Sequence, residues 1–89
     1  MNQLYACKCC GHKTIESPPP GDYEICPVCL WENDPTQERN ADLGGGPNQK
    51  SLRDHQKDYL QSMEDPINVS FRKKFHYEKD LSWKPLKLG

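Results

Sequence analysis

The sequence predicts a small α+β fold that lacks a large apolar core to stabilise it. The chain has 89 residues, a hydrophobic content of 34% and a mean hydropathy of -0.99. A domain of this size and composition buries too little apolar surface to be stable without an additional cross-link. All five cysteines lie within residues 1–34, and a helix pattern begins at Ser51. We therefore expect a cysteine-based N-terminal module followed by one or two short helices.

The cysteines form two C-x2-C pairs, Cys7 with Cys10 and Cys26 with Cys29, separated by 15 residues. Two residues between cysteines allow one tight turn to direct both sulfurs at a single ion, and two such pairs complete a tetrahedron. We expect one structural Zn²⁺ bound by these four cysteines. The odd cysteine count and the absence of an apolar run behind a basic start favour metal over disulfides, and predict a cytoplasmic protein with no membrane association.

Residues around the pairs indicate how each turn forms. Gly11 suits a turn that needs a positive φ, which favours Cys10 over Cys9 as the ligand. Pro27 follows Cys26 directly, so the second pair is predicted to open a helical turn that Pro35 ends. Two matched turns are the alternative. Residues 14–25, bent at the proline run, form a plausible hairpin between the pairs.

Three regions follow one another along the chain: the four-cysteine module at 1–34, a loop at 35–50, and a helical and extended segment at 51–89 that packs on the module. Ser51 can cap a helix at about 52–63, because its hydroxyl accepts amide hydrogen bonds of the first turn. Residues 66–80 fit a helix or a strand, and that choice stays open. The last residues read as extended.

Iron also accepts four cysteines, and the two pairs are similar to the metal-binding turns of rubredoxins. The resemblance makes an iron electron carrier an alternative to a zinc ribbon. The interval between the pairs is shorter than in rubredoxins, and Leu30 stands where their second turn has glycine. Both departures favour zinc.

A closer resemblance extends from residue 5 to about residue 60. Cys7-Lys8-Cys9-Cys10-Gly11, the run from Pro18 to Trp31, and the later Asp34-Pro35, Gly44-Gly45 and Ser51-Leu52 are similar to the bacterial cysteine-rich CPCC family. Lys8 replaces the proline of the name-giving motif without removing a ligand. The resemblance implies a small bacterial metal-binding protein and does not imply an activity.

The composition of the site predicts a protein that is not an enzyme. Four thiolates close the coordination shell of zinc, whereas a catalytic zinc keeps a position open for water. Cys9 is interpreted as a spare cysteine beside the metal, reactive only if it is accessible. His12, His55 and His76 lack the spacing of a helical metal pair and are expected at the surface.

Charge distribution suggests the kind of partner. Residues 16–46 carry seven acids against Arg39, while six bases in residues 66–89 include Arg72, Lys73 and Lys74. An acidic ribbon repels nucleic acid, so a nucleic-acid-binding ribbon is the weaker alternative. We expect binding to another protein, as an adaptor or an immunity-type inhibitor. The predicted contact surface comprises Trp31 with Glu24, Glu32, Asp34 and Glu38.

Overall fold

The structure is a computed structural model that describes residues 3–18, 22–63 and 77–86. Two short antiparallel strands precede two helices, which confirms the small α+β prediction at this level. None of the helices in these ranges has the length and apolar character needed to cross a bilayer. The elements are β1 (Tyr5–Ala6), β2 (Lys13–Ile15), α1 (Pro35–Arg39) and α2 (Leu52–Ser62).

Both helices begin at a side-chain cap. The Ser51 hydroxyl accepts the amide of Asp54 at 3.2 Å, and α2 ends one residue before its predicted end. Helix α1 corrects the expectation of a loop over residues 35–50. The Asp34 carboxylate accepts the amide of Gln37 at 3.0 Å, and Pro35 occupies the first helical position, where proline loses no hydrogen bond. Pro35 therefore begins a helix rather than ending one.

The loop after α1 is tied to the module by two buried amides. Gln37, which is fully buried, donates to the carbonyls of Leu43 and Asn48 at 3.0 and 2.9 Å. The Asn48 side chain in turn accepts the amide of Glu32 at 2.8 Å and donates to its carbonyl at 2.7 Å. Buried polar groups that are paired in this way fix the path of a chain with little regular structure.

Residues 77–86 pack against the N-terminal strands. The amide of Lys13 donates to the carbonyl of Glu78 at 2.7 Å, and the amide of Asp80 donates to the carbonyl of Gly11 at 2.8 Å. Lys79 forms an isolated bridge with His12. This segment therefore covers one of the two cysteine turns. The undecided helix or strand at 66–80 falls largely outside the described residues, at 66–76.

The core is assembled mainly around the cysteines. All five are buried, and Ile15, Val28, Trp31, Leu52 and Tyr59 complete the buried apolar cluster. Leu52 and Tyr59 lie on one face of α2, as the periodicity predicts. Gln56, the polar residue in that apolar stripe, is also buried, and its side chain donates to the carbonyl of Cys9 at 3.0 Å and accepts the amide of Leu86 at 2.8 Å. Gln56 thus joins α2 to the first cysteine turn and to the C-terminal segment.

Candidate metal centre

The first cysteine pair lies in a tight turn at residues 7–12, which we call the first knuckle. The amide of Gly11 donates to the carbonyl of Cys7 at 2.8 Å, and the amide of Cys7 donates to the carbonyl of His12 at 2.9 Å. Gly11 has φ of 79°, as its position predicts. A side chain here would also collide with Trp83, since a Cβ built on Gly11 lies 2.5 Å from the indole Cδ2. Both the positive φ of this position and the packing of Trp83 against it therefore require glycine.

The second pair lies in a matching turn at residues 26–31, the second knuckle. The amide of Leu30 donates to the carbonyl of Cys26 at 2.8 Å, and the amide of Cys26 donates to the carbonyl of Trp31 at 2.9 Å. The predicted helical turn at this pair is therefore wrong, and the matched-turn alternative is correct. Leu30 adopts φ of 68° although it is not glycine. Its side chain is 68% exposed, so no neighbour collides with it.

The knuckles bring the sulfurs of Cys7, Cys10, Cys26 and Cys29 together, all within 4.8 Å of one another. The Sγ atoms of Cys7 and Cys29 are 3.6 Å apart, and those of Cys10 and Cys26 are 3.7 Å apart. A tetrahedron with Zn–S bonds of about 2.3 Å has edges of about 3.8 Å. The four buried cysteines could therefore hold a metal ion with little rearrangement.

Crowding of the sulfurs sets their protonation. The pKa of Cys7 is raised, chiefly because its thiol donates hydrogen bonds to the sulfurs of Cys10 and Cys26, which favours the protonated form, and to a lesser extent by burial and by charge repulsion from Cys10. Accepting a hydrogen bond from Cys10 is the largest cause of the lowered pKa of Cys26, and the hydroxyl of Thr14, which donates to the Cys26 sulfur at 3.1 Å, contributes less. A bound dication removes the repulsion that keeps the other thiols protonated.

Two further groups, Cys9 and His55, lie beside the four-cysteine site, and the sequence analysis placed only Cys9 there. Cys9 is fully buried, which agrees with the interpretation of a spare cysteine beside the metal and rules out the accessibility that a reactive thiol needs. His55, expected at the surface, is half-buried, and its Nε2 lies 2.8 Å from the carbonyl oxygen of Cys29. Its ring also meets Trp31 edge-on, with centroids 5.3 Å apart. His55 follows Leu52 by three residues on α2, and this shared helix face was the signal available in the sequence.

The predicted contact surface needs correction. Trp31 is fully buried and donates its indole N–H to the carboxylate of Glu38 at 2.8 Å. Burial raises the pKa of that carboxyl group. Asp34 is buried at the start of α1. Glu24 accepts the amides of Glu16 and Ser17 at 3.0 and 2.7 Å, and these backbone donors lower its pKa. Three of the four named acids thus serve the fold itself.

Large apolar side chains are nevertheless exposed on and beside the second knuckle. Tyr23 is 56% exposed, Ile25 59% and Leu30 68%. Tyr23, like Leu30, has a positive φ, of 61°. Neither positive-φ position carries glycine or asparagine, so no residue in the sequence marks this surface.

A comparison with family models matches residues 5–64 to a family described as cysteine-rich CPCC. The chain belongs to the cysteine-rich CPCC family. The match includes both knuckles and all of α2, and confirms the resemblance noted in the sequence. No curated protein matches the chain. The segment at residues 77–86, which covers the first knuckle, lies outside the part of this CPCC protein that the family model matches.

Proposed function

We propose that this CPCC protein is a non-enzymatic zinc module that works by binding another protein, as an adaptor or an inhibitor. The observation that carries the proposal is the exposure of three large apolar side chains on and beside the second knuckle, those of Tyr23, Ile25 and Leu30. We call these three side chains the knuckle patch. The metal would hold the backbone of the patch rigid, so that the protein pays little conformational entropy on binding.

Zinc is the proposed metal because four thiolates form the donor set of structural zinc sites. Cys7, Cys10, Cys26 and Cys29 would be its ligands. Four thiolates leave no open position for water, and this supports a structural role over hydrolysis. Elemental analysis should find one tightly held zinc per chain. A red protein would instead indicate ferric iron, and would favour the electron-carrier alternative.

Backbone strain supports a binding role for the patch. A left-handed backbone costs a residue with a side chain about 1 to 2 kcal/mol relative to glycine. Tyr23 and Leu30 both bear this cost while their side chains project into solvent. Glycine at either position would give a more stable fold without the apolar side chain. Strained residues of this kind are concentrated at functional sites, where the side chain serves binding rather than stability.

Charge around the patch favours a partner with a basic surface. Residues 14–38 contain no lysine, arginine or histidine, and Asp22 and Glu32 lie next to Tyr23 and Trp31 along the ribbon. Four thiolates around one Zn²⁺ add two further negative charges. Such a field attracts a basic protein and repels phosphate backbones. An apolar pocket rimmed by lysine or arginine is the surface that would complement the patch.

The test compares patch and control variants in capture from the source cell. Leu30→Ser and Ile25→Ser should lose a basic protein that the wild type retains, because each removes an apolar anchor. Leu81→Ser is the matched control, since Leu81 is 95% exposed but lies in the C-terminal segment. Calorimetry with the purified partner should then show an affinity that falls as salt increases.

Zinc content and thermal unfolding of each variant establish that the fold is intact. Equal capture by the wild type and both patch variants would refute the proposed surface. Retention of nucleic acid in place of a protein would refute the protein-binding role and favour the nucleic-acid alternative.

A further inference from the structure

A second group of metal-binding side chains adjoins the four-cysteine site. Cys9, Cys29 and His55 each offer a ligand atom, and these atoms all lie within 4.8 Å of one another. We propose that they form an accessory site for a second Zn²⁺, with the thiolate of Cys29 bridging the two ions. The inference rests on zinc in the four-cysteine site but is independent of any protein partner.

His55 makes a hydrogen bond of the kind that metal-binding histidines usually make. In such sites one ring nitrogen usually donates to a carbonyl or carboxylate, which fixes the tautomer and leaves the other nitrogen its lone pair. Nε2 of His55 lies 2.8 Å from the carbonyl of Cys29, which can only accept a hydrogen bond. The ring is therefore a donor at Nε2, and its neutral form is an acceptor at Nδ1. Trp31, packed edge-on, holds the ring in place.

Cys9 contributes a soft ligand in an environment that suits coordination. Its side chain is fully buried, and its carbonyl is fixed by the amide of Gln56. The sulfur of Cys9 lies within 4.8 Å of the sulfur of Cys29. A second dication placed among these donors would offset the charge of the tetrathiolate centre. Two Zn²⁺ ions with five thiolates carry a single net negative charge, against a double one for the four-cysteine site alone.

The accessory site has a route to solvent. Cys29 and His55 line an open cleft of about 280 Å³, whose other walls are formed by Lys50, Asp58, Tyr59 and Ser62. A metal ion could enter here, and water from the cleft would fill the fourth position. With three protein ligands and one water, the second ion would have one protein ligand fewer than the ion in the four-cysteine site. The second ion should therefore bind more weakly than the first.

The experiment is a zinc titration of protein that already holds one equivalent, followed by equilibrium dialysis and elemental analysis. The wild type should take up a second equivalent. Cys9→Ser and His55→Gln should each lose it, or bind it at least about tenfold more weakly, while retaining the first. Glutamine can still donate to the carbonyl of Cys29, so His55→Gln preserves the local hydrogen bond. His12→Gln is the matched control and should bind both equivalents.

Substitution with ¹¹³Cd tests the shared thiolate directly. Two cadmium signals that are coupled to each other would support a bridging Cys29, and neither variant should show the coupling. Saturation of the wild type at one equivalent would overturn the inference, as would two equivalents in both variants. Loss of the first equivalent from the wild type would instead count against the four-cysteine zinc. If Cys9→Ser does not fold, His55→Gln decides the outcome alone.

Discussion

The two knuckles share one backbone turn and differ in what packs against it. In each, the amide of the residue after the second cysteine donates to the carbonyl of the first cysteine, at 2.8 Å in both cases. The C-terminal segment covers the first knuckle, where the indole N–H of Trp83 donates to the carbonyl of Lys8 at 3.1 Å. At the second knuckle, Leu30 occupies the position of Gly11 and projects into solvent.

The comparison separates two requirements: the turn needs a residue that adopts a positive φ, and close packing needs a residue without a side chain. Metal binding requires the turn, and the turn requires a positive φ. Only close packing, as of Trp83 on Gly11, excludes a side chain there outright. Where nothing packs, a residue with a side chain is tolerated at the cost of strain. Gly11 is therefore packed within the fold, whereas the exposed side chain of Leu30 is available for the recognition proposed above.

Metal removal should have the largest effect, because the four proposed ligands come from both knuckles. Structural zinc in small peptides contributes an apparent 10 to 16 kcal/mol, about as much as the entire stability of a small domain or more. Chelation should therefore unfold the first and second knuckles together, and acid should do the same as protons displace the metal from the thiolates. NMR amide dispersion measures the loss. Unchanged dispersion in the metal-free protein would contradict a structural role for the ion.

Gly11→Ala should destabilise the protein by about 2 to 3 kcal/mol, combining left-handed strain with the displacement of Trp83. Leu30→Ala is the matched substitution at the equivalent position, and should change stability by less than about 0.5 kcal/mol, because strain is already present and the side chain is exposed. Denaturant unfolding at saturating zinc measures both. In a Trp83→Ala background Gly11→Ala should retain only the strain cost. Equal effects at the two positions would contradict the distinction drawn between the knuckles.

Glu38→Gln should change stability by about 1 kcal/mol or less, which is below the effect expected for Gly11→Ala. Glutamine can still accept the indole N–H of Trp31, but it carries no charge. Burial raises the pKa of Glu38 in the folded state above its unfolded value, so the carboxyl group contributes most at pH below the unfolded pKa. That contribution is lost as pH rises through the folded pKa.

The variant should therefore be more stable than the wild type at neutral pH, and this advantage should shrink on mild acidification. Unfolding midpoints, compared where zinc content is constant, measure the difference. An advantage that grows towards acid pH would contradict the assigned direction. A change in Trp31 fluorescence without a change in stability would indicate that the hydrogen bond, rather than the charge, dominates.

The sequence by itself determined the features that depend on local spacing. Gly11 and the Ser51 cap follow from short-range geometry, so the first knuckle and α2 could be predicted, whereas the second knuckle was only the alternative to a helical turn. The start of α1 was also readable in Asp34-Pro35, but Pro35 was interpreted as the end of a helix. A proline is compatible with either boundary, and only the residues that follow distinguish them.

Tertiary structure decided which side chains are buried and what each charge contacts. Trp31 and Cys9 are buried because the second knuckle, α1 and α2 meet around the metal centre, and no local pattern records that meeting. The same convergence brings His55 on α2 to the carbonyl of Cys29, across 26 residues. It also engages Glu24, Asp34 and Glu38 within the fold, which left apolar side chains rather than acids as the exposed feature of the second knuckle. Spacing along the chain fixes a turn, whereas burial and pairing depend on contacts between residues distant in sequence.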